Sequence, residues 1–113
     1  MASRPAAMSA SARRTVEDPA NDRFVSIASI WEITIKVSLG KLTLPGRLEE
    51  AVESLAAAVL PIALSHIRRV ELLPFHHRDP FDRMLVGQAM EEGLTIVSRD
   101  RRLSAYGVPL LVA

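Results

Sequence analysis

The chain contains no cysteine among its 113 residues, and this absence limits the sites it can build. Without thiols it can form neither a disulfide nor a thiolate-held zinc site, and a reducing cytoplasm is the expected location. Aromatic residues make up only 4% of the sequence, so base-stacking platforms of the kind that single-strand binders use are not expected. No apolar run reaches the roughly 18 residues of a membrane span, and no signal-peptide core is present. We therefore expect no membrane association.

Strong net charge is also missing, since 14 Lys and Arg residues balance 13 Asp and Glu residues to leave +1. No overall field draws such a protein onto nucleic acid or a membrane. Twelve of the basic residues are Arg, which favours bidentate contacts with phosphate or carboxylate groups. Hydrophobic residues make up 49% and charged residues 24%, as is typical of a globular chain. The length fits one domain.

The first 14 residues are rich in Ala and Ser and show no apolar periodicity. We expect a disordered or frayed lead-in at 1–14 and a folded domain at 15–113. Later in the chain, short apolar runs alternate with capping signals, which predicts an α/β fold with a parallel sheet and helices on both faces. Trp31 and Phe81 fall at apolar positions and are expected in the core. The predicted strands lie at 24–27, 60–64, 94–98 and 108–112, and the predicted helices at 11–18, 29–40, 47–59, 65–73 and 79–93, with a turn or short helix at 100–106.

Three carboxylates, Glu32, Asp82 and Asp100, fall where strands are followed by helices. In parallel sheets, ligands bind beyond the carboxyl ends of the strands, so these side chains are candidates for one site. Clustered carboxylates repel one another unless they share a cation, and oxygen ligands suit Mg²⁺ or Mn²⁺. Near a phosphodiester such ions activate water and stabilise the attacking and leaving oxygens. The pattern is therefore compatible with a metal-dependent hydrolase.

Each of these carboxylates also has a purely structural explanation. Glu32 is the third residue of a capping box that Ser29 would open, and Asp82 holds the same position after the predicted N-cap Asp79. Asp100 itself fits an N-cap. Cap residues gather at this edge in any α/β fold, so spacing alone leaves both interpretations open.

Two further clusters of polar residues invite a functional interpretation. His76 and His77 precede the helix at 79–93, but zinc would need further ligands and only His66 could add one, so a polar loop is favoured. Beside Asp100 stands a group of arginines that could grip phosphates or simply form a solvated turn: Arg99, Arg101 and Arg102.

Several blocks of the sequence resemble PIN-domain proteins, and among them the VapC-like toxins of type II toxin–antitoxin pairs. VSIASIWEI at 25–33, with Lys36 and GKL at 40–42, resembles their second strand and helix. HHRDPFDRML at 76–85, with Gln88 and Ala89, and LTIVSRD at 94–100, with YGV at 106–108, resemble signatures of the same subgroup. The resemblance covers residues 11–113, and the HRDPFDRML block is specific.

The resemblance implies a parallel α/β fold, commonly dimeric, and cleavage of RNA that depends on Mg²⁺ or Mn²⁺. Glu32, Asp82 and Asp100 match the second, third and fourth acids of the quartet that holds the metal, which activates water. The implied partners are a cognate antitoxin that blocks the site, an RNA substrate and a second copy of the chain, with no DNA and no membrane. Supporting roles fall to Asp79 and Ser98, and RNA phosphate contacts to Arg99 and Arg101.

The sequence departs from the family pattern at its start. Family members begin with a short apolar strand that carries an Asp, and residues 1–10 contain neither. We therefore expect a PIN-like domain that lacks the family's first strand and one of its four acids. A truncated, catalytically inactive homologue that binds an antitoxin or another partner is the alternative, and a plain α/β domain with capped helices is a third.

Overall fold

Helices and parallel strands alternate along the chain in the computed structural model, which describes residues 9–113. This confirms the predicted α/β class. The strands are Phe24–Ser26 (β1), Ala58–Leu60 (β2), Ile96–Ser98 (β3) and Leu110–Val112 (β4). The α-helices are Ala10–Glu17 (α1), Ile27–Ser38 (α2), Leu48–Ser54 (α3), Leu64–Glu71 (α4) and Pro80–Glu92 (α5), and a 3₁₀ helix spans Arg101–Tyr106. None of the described helices is long and apolar enough to cross a membrane.

The strands form two parallel pairs rather than one continuous sheet within residues 9–113. Strand β1 pairs with β2, with Phe24 opposite Ala58, and β3 pairs with β4, with Ile96 opposite Leu110. A cleft with α5 on one side lies between β1 and β3. It is lined by Ser26, Leu85, Gln88, Ala89, Leu94, Thr95 and Ile96.

Helix α1 takes in part of the predicted lead-in. The Ser9 hydroxyl caps the helix by accepting a hydrogen bond from the Ala12 N–H at 3.2 Å, and Ala12 is fully buried. Residues 10–14 therefore form part of a helix with a packed face. The rest of the lead-in, residues 1–8, lies outside the described residues.

Two predicted boundaries between strand and helix are wrong. Helix α2 begins at Ile27 rather than after Ser29, because the buried Ser26 hydroxyl accepts the Ala28 N–H and itself donates to Gln88 Oε1. Helix α4 is not capped by Ser65. It begins at Leu64, where His66 Nδ1 accepts the Ala63 N–H at 2.9 Å.

Strand β2 lies earlier than the predicted strand at 60–64, and α3 is shorter than the predicted helix at 47–59. Helix α3 ends at Ser54, and Ala56 adopts a positive φ of 50° that turns the chain toward β1. Pairing with β1 then draws residues 58–60 into a strand, and Pro61 follows directly after it. Proline has no N–H to donate, so the ladder ends there.

The core lies between α4, α5, the 3₁₀ helix and the strands β3 and β4. Its buried members are Leu73, Val86, Ala89, Ile96, Leu103, Tyr106 and Val108. The prediction that Trp31 and Phe81 lie in the core is wrong. Trp31 is 61% exposed, Phe81 is half-buried outside the buried cluster, and the two rings meet edge-to-face with 5.3 Å between their centroids.

Helices α4 and α5 lie close together at Gly87. A Cβ atom there would lie 2.8 Å from Val70 Cγ2 and 3.1 Å from the His66 carbonyl oxygen. Gly87 therefore allows a backbone contact that no larger residue permits, and this contact sets how closely α5 packs on α4.

Gly87→Ala is expected to lower the free energy of unfolding. Overpacking of this kind costs about 1–3 kcal/mol, which exceeds the roughly 0.5–1 kcal/mol by which Ala favours a helix over Gly. The control is Gly46→Ala, where the nearest atom is the mobile carboxylate end of Glu50. Urea denaturation followed by circular dichroism measures both, and an equal effect of the two variants would contradict this packing argument.

Candidate metal centre

The N-terminus of α5 places Asp82 at the edge of the fold. Asp79 is the N-cap, and its Oδ1 accepts the N–H groups of Phe81 at 2.8 Å and Asp82 at 3.3 Å, while Pro80 occupies the first helical position. In a capping box, Asp82 would accept the Asp79 N–H. That N–H instead donates to His77 Nδ1 at 3.1 Å, so the capping-box explanation of Asp82 is wrong.

Asp100 follows β3 and begins the 3₁₀ helix. Its N–H donates to the Ser98 hydroxyl at 3.1 Å, and its Oδ1 accepts the Arg102 N–H at 3.0 Å. The structural interpretation of Asp100 as an N-cap is therefore confirmed. The second carboxylate oxygen, Oδ2, lies 2.7 Å from His77 Nε2, so the same side chain also takes part in a cluster between elements.

Glu32 lies in the second turn of α2, because the helix begins at Ile27. This removes the capping-box explanation for Glu32, which needs a position three residues after the N-cap. The Glu32 carboxylate forms an ion pair with Lys36 one turn later, with 3.7 Å between Nζ and Oε2.

His77, Asp82 and Asp100 each offer one ligand atom within 4.8 Å of those of the other two. His77 Nε2 lies 3.5 Å from Asp82 Oδ2 and 2.7 Å from Asp100 Oδ2. The imidazole is only 8% exposed and both carboxylates are 23% exposed, so the cluster is shielded on one side and open on the other.

The surroundings shift the pKa values of the Asp82 and Asp100 carboxyl groups in opposite directions. Burial raises the pKa of Asp82, and the neighbouring charges of Asp79, Glu32 and Asp100 raise it further, while His77 opposes them. The other three carboxylates are therefore close enough to Asp82 to affect its ionisation. Since the ionised form of Asp82 is disfavoured by its surroundings, a cation beside it would relieve an existing penalty.

Asp100 is held in its ionised form by its neighbours. The side-chain hydrogen bonds of Arg102 hold the pKa of this carboxyl well below its usual range, against the effect of burial and with the help of His77. Arg102 Nε lies 2.9 Å from Oδ1 and Nη2 lies 2.8 Å from Oδ2. The guanidinium is 73% exposed, so a competing cation could displace it from the carboxylate at small cost.

A family model for the PIN domain matches residues 2–109, nearly the whole chain. The chain belongs to the PIN domain family. PIN domains are generally nucleases, and they typically depend on divalent metal ions. Comparison with curated proteins and with solved structures gave no match.

The residues of this PIN domain fit a divalent cation by the chemistry of their donors. Asp82 and Asp100 present carboxylate oxygens toward one point, and oxygen ligands are preferred by Mg²⁺ and Mn²⁺. The charges of Glu32 and Asp79 act through space on the Asp82 carboxyl. The oxygens of Asp82 and Asp100 could hold the ion. Glu32 is not in the three-residue group, and its role as a further ligand stays a prediction, as does the choice between Mg²⁺ and Mn²⁺.

The other predicted site residues lie around this cluster. Ser98 supports the turn that carries Asp100, and Asp79 caps the helix that carries Asp82. The side chains of Arg99 and Arg101 are exposed beside the cluster, so a role in phosphate contacts stays a prediction.

Sequence reasoning missed two residues of the cluster. The sequence favours a polar loop at His77 over a zinc ligand, and the signal for its role in the cluster is its place two residues before the N-cap Asp79, at the same edge as the carboxylates. Arg102 was grouped with its neighbours, although it is the arginine whose side chain binds Asp100.

In the metal-free PIN domain, Asp82→Asn and Asp100→Asn are expected to change stability in opposite directions at neutral pH. Burial raises the pKa of Asp82, so stability is lost as the pH rises above the ordinary carboxyl pKa and the full penalty is present above the folded-state pKa; Asn removes that penalty. The pKa of Asp100 is lowered, so its charge stabilises the fold above the ordinary carboxyl pKa, and Asn loses that contribution.

Thermal denaturation in the presence of a chelator measures both effects. We expect a higher Tm for Asp82→Asn and a lower Tm for Asp100→Asn than for the unmodified protein. The difference between Asp100→Asn and the unmodified protein should shrink as the pH falls through the acidic range and protonates Asp100. Shifts of the same sign in the two variants would contradict this electrostatic account.

Proposed function

We propose that this PIN domain is a metal-dependent endoribonuclease, a VapC-like toxin of a type II toxin–antitoxin pair. The observation that carries the proposal is the convergence of Asp82 and Asp100 on one point, within the electrostatic reach of Glu32 and Asp79. Two of the structural explanations for these acids are removed, since neither Glu32 nor Asp82 acts in a capping box. Helix capping alone therefore does not account for the cluster.

Mg²⁺ or Mn²⁺, when bound, supplies an activated water and neutralises charge on the phosphodiester. The residues of the chain have separate tasks. Asp82 and Asp100 hold the ion and Glu32 adds negative charge beside it, so the site attracts a cation before RNA arrives. Arg99 and Arg101, which are exposed next to Asp100 in the sequence, contact RNA phosphates in this proposal.

The toxin role rests on the resemblance of residues 25–33 and 76–85 to VapC-like proteins. Its partner is a cognate antitoxin that covers the acidic edge, and a second copy of the chain forms a homodimer. Large apolar side chains are exposed at several places among the described residues, as a partner-binding protein requires. Four of them lie on α4 and just after it: Leu64 (79%), Ile67 (50%), Leu72 (73%) and Phe75 (83%).

The purified protein is expected to cleave single-stranded RNA when Mn²⁺ or Mg²⁺ is added, and to lose this activity with a chelator. Asp82→Asn should reduce the cleavage rate by at least about a hundredfold, as the loss of a charge-stabilising group does. The measurement is cleavage of end-labelled RNA followed by gel electrophoresis.

The matched control is Glu49→Gln, which neutralises a carboxylate on α3 that is 71% exposed and leaves the cluster intact. We expect it to cleave at the rate of the unmodified protein. Metal-dependent cleavage that survives Asp82→Asn would contradict the assignment. No cleavage of any RNA by the unmodified protein, together with no saturable Mn²⁺ binding in calorimetry, would favour the inactive binding module instead.

A further inference from the structure

We propose that His77 is a positioning residue of the metal centre, a hydrogen-bond donor that fixes the Asp100 carboxylate, and not one of the metal's ligands. This inference rests on the proposed function, because it concerns the same cluster. Its starting point is that His77 has a ligand atom close enough to Asp82 and Asp100 to complete a three-residue metal group. Proximity alone would make it a ligand, but the hydrogen bonds of its ring indicate otherwise.

The two ring nitrogens of His77 have different partners. The backbone N–H of Asp79 points at Nδ1 from 3.1 Å, and an N–H can donate only to a nitrogen that carries a lone pair. The proton of the neutral ring therefore sits on Nε2. There it donates to Asp100 Oδ2 at 2.7 Å.

This tautomer makes His77 unsuited to bind the metal. Coordination through Nε2 requires its lone pair, so the proton would have to move to Nδ1, where it would face the Asp79 N–H. Asp79 is the N-cap of α5, so its backbone cannot turn away without disturbing the helix start that carries Asp82. If His77 instead donates its Nε2–H to Asp100, both hydrogen bonds of the ring are kept. Hydrogen-bond donors of this kind commonly orient metal-binding carboxylates.

The backbone of His77 is fixed from the opposite side. Its N–H donates to the Tyr106 hydroxyl at 2.9 Å, and this hydroxyl also accepts a hydrogen bond from Arg83 Nη1 at 3.1 Å. Arg83 is 6% exposed and also donates to three backbone carbonyls of the segment before His77: those of Val70, Leu73 and Pro74.

Arg83 and Tyr106 therefore connect the loop after α4, the first turns of α5 and the 3₁₀ helix. These three elements carry His77, Asp82 and Asp100, in that order. A ring held this firmly presents its Nε2–H to one carboxylate oxygen only. The side chain of Arg102, which is exposed and can leave, binds both Asp100 oxygens, Oδ1 through Nε and Oδ2 through Nη2. The structure thus provides Asp100 with one permanent donor and one exchangeable donor.

Nuclear magnetic resonance of the metal-free protein tests the tautomer directly. At about pH 8, above the ordinary imidazole pKa, ¹⁵N–¹H correlation through the ring should give the Nε2–H pattern for His77. His66 serves as an internal reference, because its Nδ1 likewise accepts a backbone N–H, from Ala63 at 2.9 Å. An Nδ1–H pattern for His77 would overturn the proposal, whether or not the protein cleaves RNA.

Binding of Mn²⁺ by calorimetry tests the positioning role. We expect His77→Ala to weaken Mn²⁺ binding by about tenfold and His77→Gln, whose amide can donate from a similar place, to stay within about threefold of the unmodified protein. His76→Ala, which removes an exposed neighbour that packs on Tyr106, should leave the affinity unchanged. Unchanged affinity in His77→Ala would overturn the proposal, as would an equal loss in His77→Gln.

Pulsed electron paramagnetic resonance of the bound Mn²⁺ separates a donor from a ligand. We expect no ¹⁴N coupling of the size that a directly coordinated imidazole produces, and a strong coupling that disappears in His77→Gln would overturn the proposal. If the unmodified protein binds no Mn²⁺, the metal-dependent function fails, while the tautomer measurement still decides whether His77 is a fixed donor to Asp100.

Discussion

The packing of helix α5 is the constraint on which the rest of the structure depends. Gly87 lets α5 approach α4 closely. Gln88 accepts a hydrogen bond from the Ser26 hydroxyl at the end of β1, and Arg83 donates hydrogen bonds to the loop after α4. Its first turn carries Asp82. The same helix thus links both strand pairs. It also places the Asp82 carboxylate at the edge where Asp100 follows β3. Any shift of α5 would separate the two acids, so fold and site share one set of contacts.

The negative charges of the carboxylates at this edge repel one another, and the chain places more hydrogen-bond donors beside Asp100 than beside Asp82. Asp100 is surrounded by donors and stays ionised, whereas the burial of Asp82 and the charges around it disfavour ionisation. Carboxyl groups whose pKa values are shifted by burial and by specific charged neighbours cluster at functional sites. The membership of the chain in the PIN domain family gives this arrangement its natural interpretation as a metal centre of a nuclease.

Local signals predicted the parts of the fold that local chemistry determines. The helix at 80–92 has Asp79 before it, Pro80 in its first position and Gly93 in a left-handed conformation after it, and each of these signals is visible in the sequence. The strand β2 was misplaced because its position depends on pairing with β1, more than 30 residues earlier in the chain. Trp31 was misplaced because its apolar character does not reveal that α2 turns it toward solvent.

The same holds for the site, where only the residues placed by local signals could be predicted. Asp82 and Asp100 could be named from their positions after Asp79 and after β3. The contacts of His77 and Arg102 with Asp100 could not be predicted, since one joins a loop to a different element and the other depends on side-chain geometry. The hydrogen bond from the Asp79 N–H to His77 Nδ1 has no counterpart in any sequence pattern. Yet it is this bond that decides which nitrogen carries the proton.

The central claim is that Asp82 and Asp100 together hold a divalent cation. A crystal soaked in Mn²⁺ and measured for anomalous scattering tests it most directly. We predict one peak between the two carboxylates at a distance of about 2.0–2.2 Å from an oxygen of each, with Arg102 moved away from Asp100 and His77 still donating to it. An ordered site with both carboxylates in place and no peak beside them, with Mn²⁺ in large excess over the protein, would contradict the account.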